Sequence, residues 1–199
     1  MIVYSFDSAF KSLGLSIMNL ISFKKTNLTE IKENLKLLRQ GGVDILHLEV
    51  FNVSSSSLAG VCRKTKKVLD ELTLTYPPEF VLIEKQFKHY KTINPVLISY
   101  FSFFGLKDKQ IVVMNPRFKN LLSIEGEEDT RIQYHIEKYK RLYTANKNHS
   151  KKLFKIWLEK TGDKKSLKLF NAIPAKNKDD VADSALMLLY WYKFIYSKF

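Results

Sequence analysis

Apolar residues in this chain fall in short runs in some segments and at three-to-four spacing in others, and the difference in period separates strands from helices. Residues 2–7 (IVYSFD) and 13–20 (LGLSIMNL) are short, apolar and joined by a small polar turn, which predicts a hairpin. Residues 43–53 (VDILHLEVFNV), following Gly41 and Gly42, predict a third strand. Before it, Leu28, Ile31, Leu35 and Leu38 recur at helical spacing and predict a helix over 26–40. The serines at 54–57 can cap a helix over 58–76, which Pro77 and Pro78 end. Residues 80–84 (FVLIE) have the composition of a buried strand, a helix over 95–104 stops at Gly105, and residues 110–114 (QIVVM) give a fifth strand ended by Asn115 and Pro116. Lysine-rich helices over 131–145 and 150–160 follow, and a last helix runs from 178 to the C-terminus.

This order predicts an α/β domain. Three antiparallel strands are followed by two that arrive through helical crossovers and are therefore parallel, giving a five-stranded mixed sheet flanked by helices. With 199 residues, no repeat and no flexible linker, the chain reads as one domain over 1–199. The longest strongly apolar uncharged stretch, residues 92–106, is shorter than the roughly 20 residues of a membrane-spanning helix. No membrane association is expected. The single cysteine, Cys62, leaves no intramolecular disulfide and fits a reducing, intracellular compartment.

Charge changes the picture more. A net charge of +13 makes a polyanionic partner the expectation, because basic surface binds phosphates with release of their counterions. The excess is concentrated in residues 138–168, where Lys151, Lys152 and Lys155 belong to a stripe of lysines opposed only by Glu159 and Asp163. A second basic segment, with Lys85, Phe87, Lys88 and Tyr90, mixes cations and aromatic rings, the combination that tracks phosphates and stacks on unpaired bases.

Four carboxylates stand out against that background. Asp7 and Glu84 each close an apolar strand, and so are presented at a sheet end, where open α/β sheets bind their ligands. Taken singly, a strand-end acid is more often a turn residue or helix cap. Asp180 and Asp183 lie three apart near the start of the last helix. An acid in the first turn is explained by capping and the helix dipole, but Asp183 lies beyond it, between Ala182 and Ser184, where a carboxylate is costly unless paired or bound to metal. Magnesium takes oxygen ligands, and two such ions about 4 Å apart can activate water and stabilise a leaving oxygen at phosphorus. Phosphodiester hydrolysis is the chemistry these residues point to.

Four segments, SFDSAFKSLGLSI, VLIEKQF, IVVMNPRFK and NKDDVADSALM, resemble in order the RuvC-type Holliday junction resolvases of the RNase H-like superfamily, in their poxvirus and mitochondrial branch. The resemblance implies an RNase H-like fold, with Asp7, Glu84, Asp180 and Asp183 as catalytic and metal-binding acids for Mg²⁺, or Mn²⁺ in its place. It also implies a junction-wedging aromatic at Phe87 and a catalytic lysine, for which Lys151 or Lys152 is the candidate. Ala9 and Ser12 depart from the family pattern of glycine and asparagine, and residues 24–40 and 123–147 look like insertions.

The resulting expectation is an endonuclease making symmetric paired nicks in four-way DNA junctions, leaving 5′-phosphate and 3′-hydroxyl ends, during recombination or the resolution of replication concatemers. A two-fold substrate implies a homodimer. If the chain is viral, its place of action is the host cytoplasm. Nucleases for other branched DNA or RNA–DNA hybrids, and a catalytically inactive nucleic-acid-binding scaffold on the same fold, are the alternatives.

Overall fold

In a computed structural model, the described residues are 1–8, 12–20, 43–86, 93–124 and 127–195, so the helix expected over 26–40 lies outside them. Strands β1 (Ile2–Ser8), β2 (Ser12–Leu20), β3 (Val43–Asn52), β4 (Phe80–Glu84) and β5 (Ile111–Met114) form one sheet in the order β3-β2-β1-β4-β5. The β1–β2 and β2–β3 pairs are antiparallel and the β1–β4 and β4–β5 pairs parallel, which is the mixed sheet expected. The helices are α1 (Leu58–Thr75), α2 (Ile93–Phe104), α3 (Ile132–Tyr139), α4 (Leu142–Thr161), α5 (Lys164–Ala172) and α6 (Lys178–Phe194).

Because side chains alternate across a sheet, each strand feeds two cores. Tyr4, Phe6, Leu13, Leu15, Ile17, Val81 and Ile83 pack on one face with Leu69 of α1 and Leu97 and Phe101 of α2. Val3, Met18, Leu82 and Met114 pack on the other with Phe154 and Trp157 of α4, Phe170 of α5 and Val181, Ala185 and Leu188 of α6. Each fully buried side chain of this size is worth about 1.5–3 kcal/mol, so both layers are needed. The same alternation turns Ser5, Asp7, Ser12, Gly14, Ser16 and Glu84 toward the layer that holds α6.

Those small residues let α6 lie close to the sheet. A Cβ on Gly14 would stand 2.4 Å from the Asp180 carbonyl oxygen and 2.6 Å from its carbon, so only glycine fits there. Hydroxyls then fix the helix: Ser5 donates to the Ser184 carbonyl at 2.7 Å, Ser184 donates to the Val181 carbonyl at 2.9 Å, and the Ser16 and Ser184 hydroxyls are 2.7 Å apart. All three serines are fully buried, and the bonds offset their desolvation. Helix α6 is buried almost all round, as expected of a central helix covered by α4.

Among the described residues the predicted elements are recovered with three differences. Helix α2 begins at Ile93 rather than at 95, because Pro95 is tolerated within a first turn whose amides have no helical partner anyway. The lysine-rich region breaks at Lys140, which takes a left-handed conformation (φ 53°), so a short α3 and a long α4 replace the expected helices over 131–145 and 150–160. Helix α5 was not expected at all; Asp163 caps it, accepting from the Ser166 amide at 2.9 Å. Among the described residues no helix is long and apolar enough to cross a membrane.

Two buried histidines hold the segment before α4. The ring Nε2 of His135 donates to the Asp129 carbonyl at 2.7 Å, and that of His149 to the Thr130 carbonyl at 2.8 Å. Burial, helped by His135, pulls His149 down to about 4 from an ordinary 6.5, although its bonds to Thr130 and Leu122 and the charge of Asp183 act the other way. The folded ring thus stays neutral where the unfolded chain takes up a proton. Its stability contribution is complete above pH 6.5 and is lost as pH falls from 6.5 toward 4. Urea unfolding of the metal-free protein should lose roughly 3 kcal/mol across that window beyond the shared carboxylate trend, and His149→Gln should remove this component. Equal pH slopes in the two proteins would contradict it.

Candidate active site

The β1–β4 register runs through Phe6 and Ile83, so Asp7 and Glu84 are the next residues at the C-terminal ends of two adjacent parallel strands. Glu84 is also in register with Met114 of β5. From the opposite side, α6 brings Asp183. One carboxylate oxygen from each of Asp7, Glu84 and Asp183 lies within 4.8 Å of the others, although these acids are distant in sequence. Asp7 and Glu84 are each 8% exposed, so the group is a recess rather than an open acidic surface.

The fourth acid stands beside this group. Asp180 accepts a hydrogen bond from the Ser12 hydroxyl at 2.8 Å, across the gap that Gly14 keeps open. Burial pushes its carboxyl above the ordinary range, with Asp179 and Asp183 acting in the same direction and Ser12 and Lys147 opposing them. Asp179 is buried and ion-paired with Lys147 of α4. Burial works against the Lys147 ammonium, but its bonds to Asp179 and Tyr143 outweigh that and raise it above its ordinary value.

Long-range contacts of this kind could not be read from spacing. Ser12 had been noted only as a departure from a family pattern; here it is the partner of Asp180. Asn94 had drawn no attention, yet its side-chain amide donates to the Glu84 carbonyl at 2.8 Å while its oxygen accepts from Ser8 at 2.5 Å, tying the ends of β1 and β4 together through α2. An Asn-Pro pair at the start of a predicted helix was the available signal.

The basic residues divide. Lys85 is exposed immediately after Glu84 and its amide extends the β4–β5 ladder to Met114. Phe87, Lys88 and Tyr90 lie outside the described residues. Lys151, Lys152 and Lys155 line the outer face of α4, opposite buried Leu153, Phe154 and Trp157. Lys152 pairs with Asp129 at 2.9 Å, and Lys155 with Glu159 at 3.6 Å. For a lysine near the catalytic helix, the sequence-based candidates were Lys151 and Lys152, whereas the lysine that the structure pairs with the first turn of α6 is Lys147.

Oxygen-only donors suit a hard divalent cation such as Mg²⁺ or Mn²⁺, and soft ligands are missing from the cluster. The residues therefore fit such an ion, with Asp7, Glu84 and Asp183 as the donors that already converge.

The family model described as "Poxvirus A22 protein" matches residues 1–194. The chain belongs to this family. Among solved structures, the family member described here is similar to the Fowlpox virus resolvase in complex with Holliday junction DNA, at 20% identity and a TM-score of 0.55, covering 98% of this chain and 99% of that one. It is similar also to Thermus thermophilus RuvC, at 14% identity and a TM-score of 0.53 over 98% and 97% of the two chains. The yeast mitochondrial Holliday junction resolvase aligns at 14% identity and a TM-score of 0.58, over 98% of this chain and 80% of that one. No curated protein matches by sequence. The family member thus has the RuvC-type, RNase H-like fold that its motifs resemble.

Proposed function

We infer that this protein is a metal-dependent endonuclease that resolves four-way DNA junctions. The observation that carries the reading is the convergence of Asp7, Glu84 and Asp183 on one point, on a fold shared with junction resolvases and in a chain of net charge +13. Asp180, held by Ser12, joins them as the fourth acid. In this reading the four acids hold two Mg²⁺ ions, which when bound supply Lewis-acid stabilisation of the phosphoryl centre and a more acidic water.

The protein's own part is positional. The ends of β1 and β4 fix two carboxylates, Gly14 and the buried serines hold α6 so that Asp183 meets them, and Lys147 balances the charge of Asp179 beside Asp180. Lys85 and the outer face of α4 present ammonium groups to the phosphates of the DNA. Hydrolysis would leave 5′-phosphate and 3′-hydroxyl ends. Symmetric paired nicks in a two-fold junction call for a homodimer. Membership of a poxvirus family supports a role in the resolution of replication concatemers, with the host cytoplasm as the place of action.

Cleavage of a labelled four-way junction in Mg²⁺ tests this, with linear duplex as control and Asp180→Asn as the variant. The wild type should give paired symmetric nicks in the junction and leave the duplex intact, and the variant should bind without cutting. Binding without cleavage by the wild type, or equal cutting of the duplex, would overturn the reading.

A further inference from the structure

Outside the acidic cluster, helices α3, α4, α5 and α6 line an open groove of about 360 Å³. Its lining includes Tyr134 and Lys138 of α3, Asn148, Lys151 and Lys155 of α4, and Lys178 of α6. Among the described residues the groove contains five lysines and a single carboxylate, Asp129, which Lys152 engages. Lys178 lies two residues before Asp180, and Asn148 follows the lysine that pairs with Asp179. The groove therefore starts at the end of α6 that carries the acids. One wall comes from the segment that looked like an insertion, which the left-handed turn at Lys140 folds back along α4.

We propose that this groove is a subsite for an unpaired stretch of DNA strand beside the acidic cluster. Size argues against a duplex arm: the volume is at the low end of the roughly 300–1,000 Å³ of sites that take small molecules, which suits a nucleotide unit. Chemistry argues for a nucleotide. The ammonium groups of Lys151, Lys155 and Lys178 match phosphates, and Asn148, whose amide nitrogen donates to the Thr144 carbonyl at 2.8 Å, can accept from a base edge through its side-chain oxygen. The ring of Tyr134 is 39% exposed, and Lys138 lies 5.6 Å from its centroid, so the aromatic face and the cation are presented together. Alternating lysines with an exposed ring is how strands are held without regard to sequence. The proposal rests on a nucleic-acid substrate but not on junction specificity.

The test is fluorescence anisotropy of a labelled oligothymidylate and of a blunt duplex of equal length, in EDTA so that no cleavage occurs. Tyr134→Ala should weaken the single strand about 5-fold or more and leave the duplex unchanged, with Tyr134→Phe binding as the wild type does. Lys151→Ala with Lys155→Ala should lower the salt slope for the single strand by about 1.4. Arg63→Ala with Lys67→Ala, exposed on α1 across the sheet, should leave that slope unchanged. Unaltered binding by Tyr134→Ala, or equal losses in the two double variants, would overturn the proposal. Junction cleavage is scored separately: nicking by the wild type with unaltered Tyr134→Ala binding removes only the groove, and loss of strand binding without nicking removes only the resolvase reading.

Discussion

Asp183→Asn should reduce junction cleavage by about three orders of magnitude while making the metal-free protein more stable. The side chain keeps its shape, so α6 can still dock. What disappears is one of three carboxylates whose oxygens lie within 4.8 Å of each other. If the cluster binds cations that stabilise charge in the transition state, that contribution is several kcal/mol, and each 1.36 kcal/mol is a factor of ten in rate. The same closeness makes the ionised acids repel one another when no cation is present, so removing one charge raises the melting temperature in EDTA. In the wild type, Mg²⁺ at about 100 times its Kd adds roughly 2.7 kcal/mol, which for a chain of this size is about 5–10 °C. Asp183→Asn should lose most of that shift. Thermal melts with and without Mg²⁺, run beside the cleavage assay, separate the two effects. A variant that still cuts and still gains the full shift would show that the cluster is not the metal site.

Gly14→Ala should destabilise the protein by about 2 kcal/mol, lowering its melting temperature by about 4–8 °C. The added methyl has no flexible neighbour to push aside. It meets the main chain of Asp180 at 2.4–2.6 Å, so either the helix or the strand must move. Movement of α6 carries Asp180 away from Ser12 and Asp183 away from Asp7. Cleavage should therefore fall even at temperatures where the variant is fully folded, which calorimetry and a parallel rate measurement would distinguish from simple unfolding. Melting like that of the wild type would mean that the close packing of α6 against β2 is not needed.

Strand identities were legible because a short apolar run is a local signal, whereas the faces, with Val3 on one side and Tyr4 and Phe6 on the other, are seen only in the folded sheet. The turn at Lys140 was not legible, since a lysine in the left-handed region carries no mark in sequence and the apolar spacing continues across it. Helix α5 could have been found from Asp163, a cap just after Gly162, but its nine residues make too few turns for an apolar repeat to stand out in the sequence. In the site, the positions of Asp7, Glu84 and Asp183 followed from strand ends and motif order. The partners Ser12, Asn94 and Lys147 did not, because each is chosen by a contact between elements distant in the chain.

The acids that meet at the end of β1 come from opposite extremes of the chain, Asp7 from the first strand and Asp183 from the last helix. Chains fold from the N-terminus as they are synthesised, and contacts this distant are among the last to form. The sheet can assemble with its acidic cluster only half built, and the cluster is completed when α6 docks. If the protein is the nuclease proposed, a nascent or C-terminally truncated chain presents basic surface without the means to cut, and the ability to break DNA arrives only when α6 has docked.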